Sequence, residues 1–375
     1  MGDDAGMSAP RLLHIFPGFG PSGTQLRMVT ILNALGPRYS HEILALDGNY
    51  DAAAQLEPGL PWTQAAAARP GAWSFGELRR LLRAKRPGMV LTYNWGAFDG
   101  ILAAILPTRL CPVIHNECGF GPDEAARRIP RRQWARRLVL PRVYRTVTVS
   151  SAIEQIALSE FGVPPARLVR ITTGVDIRRF RSGEAGDRRR SWGCDAEALV
   201  YGYVGGLRPE KDVETMVRAF RAAALPEARL VLVGDGPDRP RLEALAGQLG
   251  IAGRVVFAGA SADPAGCYRA FDVFVLSSAT EGLPNAVLEA MATGLPVLCT
   301  AVGDCPRLLD NGAPECTVPP RDWEALGAAM SRLARSPERR ARLGLDNRAR
   351  VESHYSLEAM VAAYDRLWTA ALSGR

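Results

Sequence analysis

Two glutamates, Glu281 and Glu289, stand eight positions apart in a segment that passes through a strand, a Pro/Gly loop and a short helix. The apolar run 271–276 predicts a buried parallel strand. Residues 285–293 predict a helix, which Gly294 and Pro296 end because proline cannot continue it. Glu281 therefore belongs to the loop, and Glu289 lies about one turn inside the helix.

The start of this predicted helix is suited to binding an anion. Backbone N–H groups at residues 285–288 have no intrahelical acceptor, and the positive end of the helix dipole lies there. A diphosphate fits this position. An ionised Glu289 can accept hydrogen bonds from two ribose hydroxyls, and Glu281 can accept them from a sugar. The segment predicts a nucleotide-sugar site in which neither glutamate needs a metal.

The residues around the two glutamates resemble the signature of the retaining glycosyltransferases of family 4. That signature is E-x7-E within S-x-x-E-G-x-P-N-x-x-x-E-A-M-A-x-G-x-P-V, and residues 278–297 match it almost without a break. Because isolated pairs of carboxylates at this spacing are common, the flanking positions carry the resemblance. It implies catalysis by Glu281 and nucleotide-sugar binding by Gly282, Leu283, Pro284, Asn285, Ala286, Val287, Leu288 and Glu289.

A charged turn near residues 204–212 supplies candidate cations for a departing diphosphate. An enzyme without a metal must neutralise that charge with protein cations and amides. Lys211 is one of only two lysines, and its use in an arginine-rich chain indicates that a compact charge is needed. The family commonly has arginine where Gly206 stands here, so either Arg208 substitutes for it or the cation is missing. Nucleotide-sugar binding is also predicted for Gly205, Gly206 and Gly234.

The first half of the chain offers a histidine and a glycine-rich turn. His115 ends an apolar strand at a position where family members have a histidine that contacts the transferred sugar, which implies catalysis. A purely structural histidine is the alternative. Glu117 either orients His115 or the acceptor, or is a surface acid. The turn after the first strand contains Gly18, Gly20 and Gly23, which predicts close approach of the backbone to a ligand, although an ordinary turn has the same pattern.

Strands and helices alternate twice along the 375 residues, which predicts two α/β domains. The resemblance extends over almost the whole chain. It implies a GT-B fold, with two Rossmann-like doubly wound domains facing a cleft and a C-terminal helix that crosses back to the first domain. The expected segments are an acceptor-side domain at 1–172, a nucleotide-sugar-binding domain at 173–356 and the returning helix at 357–375.

The net charge of +7 is local. Eight arginines and no acid occur at 125–145, and the rest of the chain sums to −1, which argues against nucleic-acid binding. Pro130 can begin a helix that places arginines four residues apart on one side and Trp134 with Leu138 on another. We expect this helix to bind an anionic membrane next to a lipid-linked acceptor, with a solvated basic face as the alternative. The expected contacts are Arg127, Arg128, Arg131, Arg132, Arg136 and Arg137.

Seven scattered cysteines without CxxC spacing indicate a reducing compartment and no metal site. The acidic start MGDDAGMSAP does not have the pattern of a secretory signal, and no apolar run reaches the roughly 18 residues of a spanning helix. We expect a cytoplasmic protein that is peripheral on the inner face of the membrane when its basic helix is bound.

The resemblance implies a hexosyltransferase that uses no cofactor and takes a UDP-, GDP- or ADP-sugar as donor. The acceptor is expected to be a saccharide or a lipid-linked saccharide, in exopolysaccharide or lipopolysaccharide assembly, with retention at the anomeric carbon. Two alternatives remain open from the residues: a non-catalytic nucleotide-binding homologue that supports a partner enzyme, which the departure at Gly206 favours, and a GT-B-type epimerase or phosphorylase.

Overall fold

Short apolar runs form the strands of two separate parallel sheets. The computed structural model describes residues 9–67, 73–119, 124, 129–195, 197–310 and 313–374. The chain divides into two units: one contains the residues up to Thr172 and those from Met360 onward, and the other is Thr173–Ala359. The chain thus leaves the first unit after Thr172, and it re-enters that unit within its last helix.

The first unit has a parallel sheet in the order β3-β2-β1-β4-β5-β6-β7 among its described residues. Its strands are β1 Arg11–Phe16, β2 Ser40–Ala45, β3 Trp62–Gln64, β4 Met89–Tyr93, β5 Val113–Glu117, β6 Arg145–Thr148 and β7 Leu168–Arg170. The strand order reverses between β1 and β4, and ligands bind at the carboxyl ends of strands beside such a switch point.

Helices connect these strands, as parallel neighbours require. They are α1 Gly23–Leu35, α2 Phe75–Lys85, α3 Phe98–Ile105, α4 Pro130–Val139 and α5 Ser151–Ser159, with 3-10 turns at Gly36–Arg38, Asp51–Gln55, Trp95–Ala97, Leu140–Arg142 and Pro165–Arg167. Strand β6 ends at Thr148, two residues before Ser150, whose side chain accepts a hydrogen bond from the Ile153 amide and caps α5.

The second unit has a parallel sheet in the order β10-β9-β8-β11-β12-β13 among its described residues. Its strands are β8 Val200–Val204, β9 Arg229–Val233, β10 Val255–Gly259, β11 Val273–Leu276, β12 Val297–Thr300 and β13 Thr317–Val318. The order reverses between β8 and β11, so the turn that carries Lys211 and the loop that carries Glu281 follow neighbouring strands.

The helices of the second unit lie between these strands and after them. They are α6 Arg188–Ser191, α7 Val213–Ala222, α8 Arg239–Gln248, α9 Pro264–Arg269, α10 Asn285–Ala292, α11 Cys305–Leu308, α12 Trp323–Ala334, α13 Pro337–His354 and α14 Leu357–Ser373, the last entering the first unit at Met360. Short 3-10 turns occupy Pro209–Lys211, Ala252–Arg254 and Pro314–Cys316. Among the described residues no helix has the length and apolar character needed to span a bilayer.

Strands at the centre of each sheet are buried, as expected where helices cover both faces. All four residues of β11 and all four of β12 are buried. Strand β5 is also fully buried but carries His115, Asn116 and Glu117. These polar side chains need partners inside the unit, because burying a polar group without a hydrogen bond is costly.

The last helix packs onto the first unit through an aromatic and imidazole cluster. The ring of Trp368, which is fully buried, meets the rings of His14, His41 and Tyr39 at centroid distances of 6.0, 6.2 and 5.4 Å. The Nε2 atom of His14 lies 3.0 Å from Nδ1 of His41, so one imidazole donates to the other. Tyr39 Oη donates to Asp365 Oδ1 at 2.7 Å. This cluster fixes α14 against β1 and β2.

Burial keeps both imidazoles neutral. It lowers the pKa of His41 from 6.5 to about 4. The pKa of His14 is well below its usual value, first because of burial and then because of the neighbouring His41. Protonation of either ring therefore works against the packing of α14.

We expect thermal stability to fall as the pH drops from about 6.5 towards 4. The unfolded chain binds more protons than the folded chain in this range, so the stabilisation is complete above the unfolded pKa and is lost as the pH falls through the folded one. The shift at His41 corresponds to about 3 kcal/mol. Differential scanning calorimetry as a function of pH measures this loss.

The variant His41→Gln should show a shallower loss of melting temperature with acid than the wild type. His354 is exposed, so His354→Gln is the matched control and should keep the wild-type pH dependence. Equal pH dependence in His41→Gln and wild type would contradict the assignment.

Candidate functional site

The loop and helix that contain both glutamates lie at the carboxyl edge of the second sheet. Strand β11 ends at Leu276, and α10 begins at Asn285, as the sequence predicts. Pro284 precedes the helix with extended backbone and offers no side-chain cap. Among the described residues, no acceptor binds the backbone N–H groups of Asn285 and Ala286. Such amides and the positive end of the helix dipole favour an anion, and binding of a diphosphate here stays a prediction.

Glu281 is held by two donors at one carboxylate oxygen. Lys211 Nζ lies 2.6 Å from Glu281 Oε1, and Ser278 Oγ donates to the same oxygen at 2.7 Å. The Lys211 side chain is 28% exposed, so the ammonium remains accessible to a ligand. Ser278 was not singled out from the sequence, although it opens the E-x7-E signature.

Hydrogen bonds join the turn after β8 to the loop after β11. Ser277 Oγ donates to the carbonyl oxygens of Lys211 and Asp212, and the Ala279 amide donates to the Glu210 carbonyl at 2.9 Å. These bonds position Lys211 beside Glu281. The two residues come together although 70 positions separate them in sequence.

The side chain of Arg208 lies beside Gly206. A Cβ built on Gly206 would lie 3.2 Å from Nε of Arg208. Arg208 is exposed, and it makes no ion pair in the part of the chain that the structure describes. A guanidinium is therefore present beside Gly206, at the position where the sequence left the cation in doubt.

Glu289 has one side-chain partner among the described residues. Tyr268 Oη donates to Glu289 Oε2 at 2.8 Å. Burial raises the pKa of Glu289, while the Tyr268 hydrogen bond and the positive charge of Arg179 act in the opposite direction. Tyr268 gave no signal in the sequence, because its hydroxyl reaches Glu289 from a different helix, α9.

Glycines of the second unit close the loops around this edge of the sheet. Gly234 has a φ of 138°, and a Cβ there would lie 1.8 Å from the Gly205 carbonyl oxygen, so both loops depend on backbone packing. Gly303 supports the Glu281 loop in the same way, since a Cβ would meet the carbonyl oxygens of residues 281 and 282 at 2.4 Å. The φ of Gly303 is also positive, at 53°. Gly282 faces open space.

The glycine turn of the first unit has a partly structural explanation. A Cβ at Gly18 would lie 2.0 Å from Asp47 Oδ2, so the glycine is required by packing against that carboxylate. Gly20 has ordinary contact with Asn49, and Gly23 faces open space at the start of α1. Contact of the three glycines with a nucleotide sugar stays a prediction.

His115 lies inside the first unit. It is fully buried, with Nδ1 2.9 Å from Thr92 Oγ1 and Nε2 3.6 Å from Glu117 Oε2. Glu117 is also fully buried, so its interpretation as a surface acid is wrong. At 3.6 Å Glu117 is an electrostatic neighbour of His115 beyond hydrogen-bond distance. Orientation of His115 or of the acceptor by Glu117 stays a prediction. Direct contact of His115 with a sugar stays a prediction.

The basic helix α4 is divided between buried and exposed arginines. Arg136 is 1% exposed, with Nε 3.2 Å from Glu117 and both terminal nitrogens bound to Glu124 at 3.0 Å. Arg132 also pairs with Glu124, at 3.1 Å. The prediction that Arg136 faces a membrane is therefore wrong, because two buried carboxylates require its charge. Arg132 is 16% exposed and belongs to the same cluster.

The exposed side of α4 combines cations with large apolar side chains. Trp134 is 68% exposed and Leu138 is 53% exposed, and Arg131 and Arg137 are exposed on the same helix. We call these four residues the α4 outer face. Arg127 and Arg128 lie outside the described residues.

In the described residues, no group of three or more His, Cys, Asp or Glu side chains has an arrangement that could hold a metal ion.

Two family models match the chain in succession. Residues 21–179 match the model described as Glycosyltransferase Family 4, and residues 198–336 match the model described as Glycosyl transferases group 1. A D-inositol 3-phosphate glycosyltransferase of Stackebrandtia nassauensis is 33% identical over 246 residues, covering 61% of this chain and 56% of the relative. The chain thus spans little more than half the length of this curated relative.

Solved structures share the architecture. The HepE protein of Anabaena, in complex with UDP, has a TM-score of 0.82 at 18% identity over 96% of this chain and 100% of its own. Sucrose-phosphate synthase of Thermosynechococcus elongatus has a TM-score of 0.76 at 21% identity over 97% of this chain and 100% of its own. At these identities the likeness concerns the fold. With the two family matches and the E-x7-E signature, it identifies the chain as a member of the family 4 glycosyltransferases with the GT-B fold.

Proposed function

We propose that this protein transfers a hexosyl unit from a nucleotide diphosphate sugar to an acceptor hydroxyl, with retention at the anomeric carbon and without a metal. One observation carries the proposal: a loop carboxylate, a helix carboxylate, two unpaired helix amides and two accessible cations occur at the carboxyl edge of one sheet. The HepE structure in complex with UDP supports a nucleotide donor for this fold.

The second unit binds the donor in this proposal. The amides of Asn285 and Ala286 donate hydrogen bonds to the diphosphate, and the dipole of α10 favours its negative charge. Glu289 binds the ribose hydroxyls, and Glu281 accepts hydrogen bonds from the sugar. Lys211 and Arg208 neutralise the charge that forms on the phosphate as the sugar departs.

The reaction follows a front-face route. The bond from the anomeric carbon to the phosphate oxygen breaks, and a bond from the same carbon to the acceptor oxygen forms on the same face. The acceptor proton passes to an oxygen of the departing phosphate. Lys211 stabilises that phosphate while it carries the developing charge, and Glu281 holds the ammonium in position at 2.6 Å.

Arg208 also bears on the alternative of a non-catalytic homologue. That alternative rests on the absence of a cation at Gly206. Since the Arg208 side chain fills the adjoining space and is exposed, a guanidinium is available from two residues further along. This placement favours the transferase over the non-catalytic alternative.

The α4 outer face favours an acceptor at a membrane, such as a lipid-linked saccharide in exopolysaccharide or lipopolysaccharide assembly. Trp134 and Leu138 provide apolar contact with the interface, and Arg131 and Arg137 provide charge towards anionic lipids. Each cation near such a surface contributes about 1 kcal/mol. The protein would then be peripheral on the cytoplasmic face of the membrane.

One of UDP, GDP and ADP is expected to raise the melting temperature of the wild type in the presence of EDTA. A ligand at 100 times its dissociation constant stabilises by about 2.7 kcal/mol. Glu289→Ala should reduce the shift, because the ribose hydroxyls lose their acceptor. Glu227 is an exposed glutamate of the same unit, so Glu227→Ala is the control and should retain the shift. If no nucleotide shifts the wild type, the donor site is refuted.

Lys211→Ala is expected to lower the rate of sugar transfer about 100-fold to 1000-fold, since it removes a cation from the departing phosphate. The assay uses the sugar donor that corresponds to the nucleotide found to bind, and it measures the release of that nucleotide. Lys85 pairs with Glu42 in the first unit at 3.3 Å, so Lys85→Ala is the matched control and should keep near-wild-type activity. A loss below about threefold in Lys211→Ala would contradict the assignment of Lys211 as a cation that stabilises the departing phosphate.

Flotation should recover the wild type with vesicles of phosphatidylcholine and phosphatidylglycerol, and much less with phosphatidylcholine alone. The double variant Trp134→Ala/Leu138→Ala should lose most of this binding. Trp323 and Leu345 are 39% and 69% exposed in the second unit, so Trp323→Ala/Leu345→Ala controls for the loss of exposed apolar surface. Equal partition of the wild type to both vesicle types would contradict the proposed electrostatic attraction of the α4 outer face to anionic lipids.

A further inference from the structure

The hydroxyl of Tyr268 is directed at one oxygen of Glu289. Tyr268 is fully buried in α9, and its Oη lies 2.8 Å from Glu289 Oε2 in α10. The tyrosine ring contacts the rings of Phe180, Phe271 and Phe274, at centroid distances of 5.8, 6.1 and 5.6 Å. Three aromatic neighbours on different elements fix the ring, and they therefore also fix the position of its hydroxyl.

Glu289 has no second hydrogen-bond donor within the described residues that would hold its carboxylate. Arg179 contributes positive charge without a hydrogen bond to it. Arg348 in α13 lies at the other end of α10, where its guanidinium binds the carbonyl oxygen of Ala292. Tyr268 is thus the group that restrains rotation of the Glu289 carboxylate.

We propose that Tyr268 is a positioning residue for donor binding: it holds Glu289 Oε2 so that Oε1 is presented to the vicinal hydroxyls of the nucleotide ribose. The inference rests on the proposed function, since it assigns Glu289 to the ribose. Tyr268 itself contacts neither the ribose nor the reacting carbon. Its contribution is orientation, which is effective only when the acceptor atom is already in place before the ligand arrives.

The same hydrogen bond also favours the ionised form of the carboxylate. Burial favours the protonated form of Glu289, and a donor to the charged form opposes this. The charged and titratable groups that act on Glu289 are Tyr268 from α9 and Arg179 from the 177–180 segment. Of these, Tyr268 alone donates a hydrogen bond to the carboxylate.

Tyr268→Phe keeps the aromatic packing and removes only the donor. Affinity for the nucleotide should fall about 10-fold, the value of one hydrogen bond to a charged group. In turnover, the donor KM should rise by a similar factor, while kcat changes by less than about twofold because the ribose is remote from the bond that breaks. The acidic loss of nucleotide binding should also occur at a higher pH than in wild type.

Tyr201→Phe is the matched control. Tyr201 is a fully buried tyrosine of the same unit, and its Oη donates to the Met330 carbonyl at 2.7 Å. Removing this hydroxyl deletes one buried hydrogen bond without touching Glu289. Tyr201→Phe should lower the melting temperature but leave nucleotide affinity and its pH profile at wild-type values.

The experiment is isothermal titration of UDP, GDP and ADP into wild type, Tyr268→Phe, Tyr201→Phe, Glu289→Ala and the double variant Tyr268→Phe/Glu289→Ala, at several pH values. In the Glu289→Ala background, Tyr268→Phe should cause no further loss of affinity, since its effect passes through the carboxylate. If Tyr268→Phe does not fold, 3,5-difluorotyrosine at position 268 keeps the hydroxyl as a stronger donor and should move the acidic limit to lower pH.

The outcomes are distinguishable. If the wild type binds none of the three nucleotides, the proposed function fails. If the wild type binds one of them and Tyr268→Phe matches it in affinity and pH profile, the positioning role is overturned and the proposed function stands. An equal loss of affinity in Tyr268→Phe and Tyr201→Phe would likewise overturn the role, because it would reflect a general loss of packing.

Discussion

The ion pair between Lys211 and Glu281 joins the two loops that follow the neighbouring strands β8 and β11. In a parallel sheet such loops emerge at the same edge, and the reversal of strand order between β8 and β11 leaves room beside them. The pair is supported by backbone bonds: Ser277 holds the turn of Lys211, and Gly303 packs under the carbonyl of Glu281. Substituting one of these small residues would therefore displace a charged residue on a different loop.

The first unit depends on a different arrangement of charge. Glu117 and Glu124 are buried, and a buried carboxylate needs a partner to offset its desolvation. Arg136 and Arg132 supply that charge from α4. The helix thus uses part of its basic sequence internally and part externally. His115 lies next to this cluster, with Nε2 3.6 Å from Glu117, and its hydrogen bond goes to Thr92.

Local patterns predicted the strand before the signature, the signature helix and its first residue, because apolar runs and Pro/Gly breaks act over a few residues. Lys211 and the two glutamates were singled out because they lie in recognisable sequence motifs. Tyr268 was missed, since its contact with Glu289 joins two helices and has no periodic signal. The burial of Arg136 was missed for a related reason: sequence shows that an arginine is charged, but not that Glu117 and Glu124 lie beneath it.

Arg208 lies beside the backbone of Gly206 without closing that position to a larger residue. A Cβ at residue 206 would lie 3.2 Å from Arg208 Nε, which is tighter than ordinary van der Waals contact. Because Arg208 is exposed and its side chain is long, it can move by the few tenths of an ångström that such a contact requires. The turn therefore has room for a cation at either position, and residue 206 alone does not reveal whether a guanidinium is present there.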